Sequence, residues 1–147
     1  MPYTRAVRQG VRVRLGETSF LLEAGAVERV LPMLAWTEVA PNEGQVVGVC
    51  EVRGQPLAVV DPRPHLGLAP VPVRLEQHLV LLGTPAAYAL WVDRVEAVLE
   101  LTGARTHALA LAAGSPARQL VQHGGETLPL LDPAAFYPHD FLTEVPT

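Results

Sequence analysis

Apolar and polar residues alternate at every second position along much of this chain, in runs too short to be helices. Val11, Val13 and Leu15 alternate with Arg12 and Arg14, the period of a strand with one buried face. Gly16-Glu17-Thr18 then turns the chain into Ser19–Glu23, which carries Phe20 and Leu22 on one face. Further runs with strand character are Val46–Arg53, Gln55–Asp61, Leu79–Leu82, Ala86–Val92, Ala97–Leu101, Gln119–Gln122 and Thr127–Leu131. Helical signals are brief: Gly25–Leu31, Pro62–Leu66, Asp93–Val98 and Pro133–Tyr137. The last has Asp132 as an N-cap and Pro133 at the first helical position. With 12 Gly and 14 Pro as punctuation, few segments have room for a long helix.

The pattern repeats. A strand reaches Gly16, turns, returns through Phe20–Glu23 and enters Val27-Glu28-Arg29-Val30-Leu31; later a strand reaches Gly83, returns through Tyr88–Val92 and enters Val95-Glu96-Ala97-Val98-Leu99. The stretch Arg53-Gly54-Gln55 to Asp61-Pro62 is echoed by His123-Gly124-Gly125 to Asp132-Pro133. The offset stays at about 70 residues throughout, longer than a solenoid repeat. It predicts one domain over 1–147 built as two similar β lobes, with approximate repeats 10–70 and 78–137. About five short strands per lobe suit a small closed barrel. A seam where two such lobes meet is a natural docking place.

Composition narrows the function. Nearly half of the 147 residues are apolar and 18% are charged, so the chain has a core to bury. Its net charge is −4, and all 11 basic residues are Arg. An acidic chain without Lys lacks the clustered cations that phosphate binding needs, so no nucleic-acid partner is expected. Cys50 is the only cysteine, which excludes an intrachain disulfide and a multi-cysteine zinc site. The apolar stretch from Leu79 to Val92 is broken by Gly83-Thr84-Pro85 and is too short to span a bilayer. The N-terminal residues show no secretory signal. A cytoplasmic protein without membrane insertion is expected.

Reactive groups do not converge. His65, His78, His107, His123 and His139 have no metal-ligand spacing among themselves or with Cys50, so no metal and no cofactor is expected. His139-Asp140 offers half of a general-base pair but no activated nucleophile accompanies it. Ser19 and Ser115 lack a nucleophile-elbow context, and Cys50 sits in an apolar strand that favours an inert thiol. Asp61 and Asp93 stand at strand ends, where each is explained by capping the short helix expected after it. No enzyme is expected.

The segment Gly48-Val49-Cys50-Glu51-Val52-Arg53-Gly54-Gln55-Pro56-Leu57-Ala58-Val59-Val60-Asp61-Pro62-Arg63 resembles the signature of CheW-like proteins, in which one strand ends in Leu-Arg-Gly and the next in Val-Asp-Leu-Arg. His65-Leu66-Gly67-Leu68 matches the short helix and glycine that close that motif. Val92-Asp93-Arg94-Val95-Glu96-Ala97-Val98-Leu99 resembles the family's second signature, and Val27-Glu28-Arg29-Val30-Leu31 its segment after the second strand. The resemblance runs from Val11 to Tyr137. It implies an all-β fold with short helices, two five-stranded barrels of SH3/OB-like kind sharing an apolar seam.

The resemblance also implies a role: a non-enzymatic adaptor that bridges the cytoplasmic tip of a chemoreceptor to the regulatory domain of the histidine kinase CheA. Receptor contact in the family is assigned to the groove between lobes, which maps here onto Val27, Arg29, Val30, Gly48, Arg53 and Val98. Read physically, the valines are apolar knobs for a receptor helical hairpin. Gly54 permits the positive φ of a tight turn, and Arg53 can grip a carboxylate with two prongs. Two departures stand out. Arg29 replaces the family's usual Glu, which removes its pairing with Arg53 and leaves Glu28, Glu51 or the partner to supply the carboxylate. Pro62 replaces a Leu, which a helix start tolerates. The altered Arg29 also fits an adaptor for another kinase pathway, such as surface motility. From other classes, a small barrel that binds single-stranded nucleic acid or oligosaccharide would need surface aromatics and a basic groove. A hydrolase would need Asp61, Asp93 and a histidine in one cleft.

Overall fold

The structure, a computed structural model, describes residues 8–83, 85–110, 115–139 and 141–142. Strands β1 (Gln9–Leu15), β2 (Thr18–Glu23), β3 (Val27–Pro32), β4 (Thr37–Glu38), β5 (Val46–Val52) and β6 (Gln55–Val60) are followed by β7 (His78–Leu82), β8 (Tyr88–Val92), β9 (Arg94–Glu100), β10 (Arg105–Ala108), β11 (Ala117–His123) and β12 (Glu126–Leu131); helix α1 (Pro133–Phe136) comes last. One six-stranded sheet has the order β10-β11-β12-β2-β1-β9, the other β3-β7-β8-β6-β5-β4. Each sheet carries a sixth strand beyond the five expected, through the short β4 and β10 that the sequence pattern did not signal.

Exchanging β1–β6 for β7–β12 converts one strand order into the other. The registers follow the same exchange: Val30 lies opposite Val80 as Val98 lies opposite Val11, and the parallel pair Val59 and Ala89 matches Leu130 and Leu21. Each sheet therefore takes its first hairpin from one repeat and its remaining four strands from the other.

Strand alternation sends side chains to two different cores. Val11, Val13, Leu15, Phe20 and Leu22 from the first sheet meet Val60, Val80, Leu82, Tyr88, Leu90 and Val92 from the second in a seam cluster. The intervening residues face their own lobe: Leu57, Val59, Leu79, Leu81, Ala89 and Trp91 in one, Leu21, Val121 and Leu128 in the other. Leu31 of β3 and Cys50 of β5 share one such cluster although β7, β8 and β6 lie between their strands. That sheet must therefore curl around its own core.

Two helical expectations give way to strands. Gly25–Leu31 becomes a single 3-10 turn at Ala24–Ala26 followed by β3, and Asp93–Val98 becomes β9. Both segments are rich in β-branched Val, and both lie beside a strand, β7 or β1, whose outer backbone groups need partners. Asp93 thus caps no helix. Asp61 accepts the Arg63 N–H at 3.0 Å and fixes the turn before a 3-10 helix at Pro64–Leu66. Asp132 caps α1 as expected, accepting the Ala134 N–H at 3.0 Å.

The carboxylates of Asp61 and Asp93 are joined by a residue the sequence gave little reason to single out. The Arg63 guanidinium, 1% exposed, donates to Asp61 Oδ1 at 3.0 Å and to Asp93 Oδ1 at 2.9 Å. It stacks over Trp91 at 4.4 Å. Buried Gln77 also donates to Asp93 at 3.1 Å while accepting the Trp91 indole N–H at 3.0 Å. Asp93 in turn accepts the Gly16 N–H at 2.6 Å, from the β1–β2 turn of the other sheet. Burial alone would raise the Asp93 pKa, but the Gly16 N–H, Gln77 and Arg63 outweigh it and hold the carboxyl below its ordinary value.

Three outcomes follow from this packing. Arg63→Met leaves two mostly buried carboxylates without their cation and should cost about 3 kcal/mol in urea unfolding, with Arg63→Lys intermediate because it loses the fork. A lowered folded pKa contributes stability above the unfolded value of about 4, and that stability is lost as pH falls through the folded value. Asp93→Asn should therefore be less stable at pH 7 and flatten the wild-type loss of stability below about pH 4. Unfolding midpoints at pH 7, 5 and 3 check both statements. Gly48→Ala should destabilise by about 2 kcal/mol, since a Cβ there would lie 2.1 Å from the Trp36 ring and 2.7 Å from the Thr37 carbonyl.

Candidate functional site

Several titratable groups among the described residues are engaged structurally. Asp61 and Asp93 are bridged by Arg63, and none of the hydrogen bonds among the described residues joins either to a histidine. His78 Nδ1 accepts the Val95 N–H at 3.2 Å, and His107 shares a hydrogen bond with Gln122 at 2.8 Å. Burial pushes the Cys50 thiol up, away from the thiolate a nucleophile needs. Burial, and then the charge of Asp132, raise the Tyr88 phenol above its ordinary value, and its hydroxyl donates to the Pro133 carbonyl at 2.6 Å. No metal-binding cluster of His, Cys, Asp or Glu occurs among the described residues. Asp140, half of the His139-Asp140 pair, lies outside them.

The six groove positions separate. Val30 sits opposite Val80, and Val98 opposite Val11. Val80 and Val11 belong to the seam cluster, so Val30 and Val98 extend the seam faces of their sheets. Both strands are the outermost of their sheets. There Val30 is 39% and Val98 62% exposed, apolar side chains left at the rim where the seam opens. Val27, opposite Leu82, packs against the same seam cluster. Three of the six thus share the seam side, one pair of them related by the internal repeat.

The other three lie elsewhere. Arg29 is opposite Leu81, which faces the lobe's own core, so Arg29 occupies the other face of β3 from the valines. Gly48 is buried inside that lobe beneath Trp36 and presents no surface to a groove. Its small size is needed because the Trp36 indole crosses β5 to pack edge-on against Trp91, 5.5 Å between ring centroids. Arg53 stands exposed at the tip of the β5–β6 hairpin with φ +51°, followed by Gly54 at φ +78°. That pair of left-handed residues is what a two-residue hairpin turn requires. Among the described residues no ion pair reaches Arg29 or Arg53, and neither Glu28 nor Glu51 compensates for the lost pairing.

The groove positions were implied by the family resemblance; their division between two faces was not legible, because facing depends on register and on the bulges at Glu28 and Glu96 that shift it. Nothing in spacing alone pointed to Arg63, Gln77 or Trp91 as one cluster.

The model of the CheW-like domain family matches residues 9–140. A search of curated proteins finds no match. Among solved structures, the chain is similar to the scaffolding protein TtCheW from Thermoanaerobacter tengcongensis, with a TM-score of 0.75 over 86% of this chain and 90% of that one. At 14% identity that likeness speaks for the fold alone. On the family match over nearly its whole length, the chain belongs to the CheW-like domain family.

Proposed function

We propose that this chain is a chemotaxis adaptor that couples the cytoplasmic tip of a chemoreceptor to the regulatory domain of the kinase CheA. The observation that carries the reading is the pair Val30 and Val98, exposed apolar residues at equivalent places on the outermost strands of the two sheets. With Val27 they offer an apolar rim for a helical hairpin, the helix-in-groove mode. Asp93, at the β8–β9 connection between the sheets, holds the β1–β2 turn of one sheet and is clamped by Arg63 to Asp61 at the end of β6 in the other, so the rim is presented by a fixed frame. No helix among the described residues is long and apolar enough to cross a membrane, and the proposed site of action is the cytoplasm.

Arg29 favours a second reading within the same class. It is exposed and without an ion pair among the described residues. A partner whose carboxylate meets it would differ from one that meets the family's usual Glu, as in an adaptor for another kinase pathway such as surface motility.

Calorimetric titration with the CheA regulatory domain encoded in the same genome should give saturable micromolar binding, about −8 kcal/mol. Absence of binding by well-folded chain would sink the coupling role. Val30→Asp and Val98→Asp should each weaken capture of a receptor hairpin about tenfold or more. Both positions are exposed, so the fold should survive and kinase binding should stay unchanged.

A further inference from the structure

The two edge strands share a four-residue pattern, Val27-Glu28-Arg29-Val30 in β3 and Val95-Glu96-Ala97-Val98 in β9. Valines three apart fall on opposite faces of a regular strand. Here they do not. Val95 lies opposite Val13, Ala97 opposite Arg12 and Val98 opposite Val11, which leaves Glu96 as an extra residue. In β3, Val27 lies opposite Leu82, Arg29 opposite Leu81 and Val30 opposite Val80, with Glu28 as the extra residue. Val11, Val13, Val80 and Leu82 all belong to the seam cluster. Each bulge therefore brings both of its valines to the seam side. Val95, absent from the six groove positions, is the counterpart of Val27, and both pack against the seam cluster.

The two bulges are held by different means. The Ser19 hydroxyl donates to Glu96 Oε1 at 2.8 Å. Arg12 Nε, buried and without an aligned hydrogen bond, lies 3.3 Å from the same oxygen, and Arg14 Nε lies 3.8 Å from Oε2. Glu96 is thus tied to both strands of the first hairpin. In β3, Glu28 lies over Gly83, where a Cβ would collide with its carboxylate, and no ion pair reaches it among the described residues. The tie matters because β9 is outermost and β1 is its one neighbour in the sheet. A slide of one residue that closed the bulge would set Glu96 opposite Arg12 and Ala97 opposite Val11. It would turn Val98 away from the seam, and it would draw Glu96 away from Arg14 and Ser19, which lie opposite each other.

We propose that Glu96 is a positioning residue for the seam rim: its carboxylate, tied to Ser19, Arg12 and Arg14, locks the β9 bulge and keeps Val95 and Val98 together on the seam side. The rim so formed has four valines, two from each half. It fits the apolar stripe of a partner helix, whose anchors recur at every third or fourth position. That fit rests on the coupling role proposed above; the lock does not.

Nuclear Overhauser contacts between β1 and β9 read the register with no partner present. The full wild-type chain should show Val11 against Val98 and Val13 against Val95. Glu96→Ala should lose the Val11–Val98 contact and gain one between Val11 and Ala97, with Glu96→Gln, which still accepts from Ser19, in between. A residue that only added stability would shift the urea midpoint and leave these contacts unchanged. Deletion of Glu96 removes the extra residue, so both valines face the seam in a regular strand and the Val11–Val98 contact should persist. Capture of a receptor hairpin should fall about fivefold or more in Glu96→Ala, with kinase binding unchanged. The proposal is overturned by a wild-type register in Glu96→Ala, or by loss of the Val11–Val98 contact in a folded Glu96 deletion. Should Glu96→Ala fail to fold, Glu96→Gln decides by the same contacts. A shifted register with undiminished receptor capture would support the lock and count against the coupling role instead.

Discussion

The central strands of both sheets bury both of their faces, and the architecture follows from that demand. One face of each meets the other sheet in the seam; the opposite face needs cover that no helical layer provides. Curling each sheet around its own residues supplies it, which is why Leu31 and Cys50 share a cluster across three intervening strands. Exchange of the first hairpin between repeats makes the seam continuous, because β1, β2, β7 and β8, which supply most of it, are the exchanged strands. Neither lobe is complete without residues from the other repeat.

Polar groups at the border of this seam are handled by concentration. Asp61, Arg63, Gln77 and Asp93 gather around one indole, and the bonds from Asp93 to Gly16, Arg63 and Gln77 and from Trp91 to Gln77 all join residues distant in sequence. A buried ion cluster of this kind contributes little net stability relative to an apolar one. Its value lies in orientation: the carboxylate of Asp93 is satisfied only when the Gly16 turn and Arg63 are both in place, which ties the relative position of the sheets to one geometry.

The two halves are alike in backbone and unlike in side chains, and the differences fall where surfaces remain open. Val30 and Val98 keep the likeness and form the seam rim. Arg29 and Ala97 occupy matching positions on β3 and β9, and the arginine leaves a cation on only one lobe. A duplicated fold needs both copies for its core, but only one copy of each surface feature for recognition.

By itself the sequence determined the class of the fold and its division into two like halves. Period-two alternation marked β1, β2, β5 to β8, β11 and β12; the echo from Gly16 to Gly83 and from Asp61 to Asp132 marked two like halves; and Asp132-Pro133 marked the one α-helix described. These signals are local, set by pleat, turn and cap chemistry within a few residues. Tertiary structure alone decided that Val27–Leu31 and Val95–Leu99 are edge strands, since their pairing with β7 and β1 spans many residues. It decided too that Gly48 lies under Trp36 and not in the groove, and that Arg63 joins two aspartates 30 and 2 residues away. Register and burial are properties of strands brought together from distant parts of the chain, and a shift of one residue would turn every one of these side chains to the opposite face.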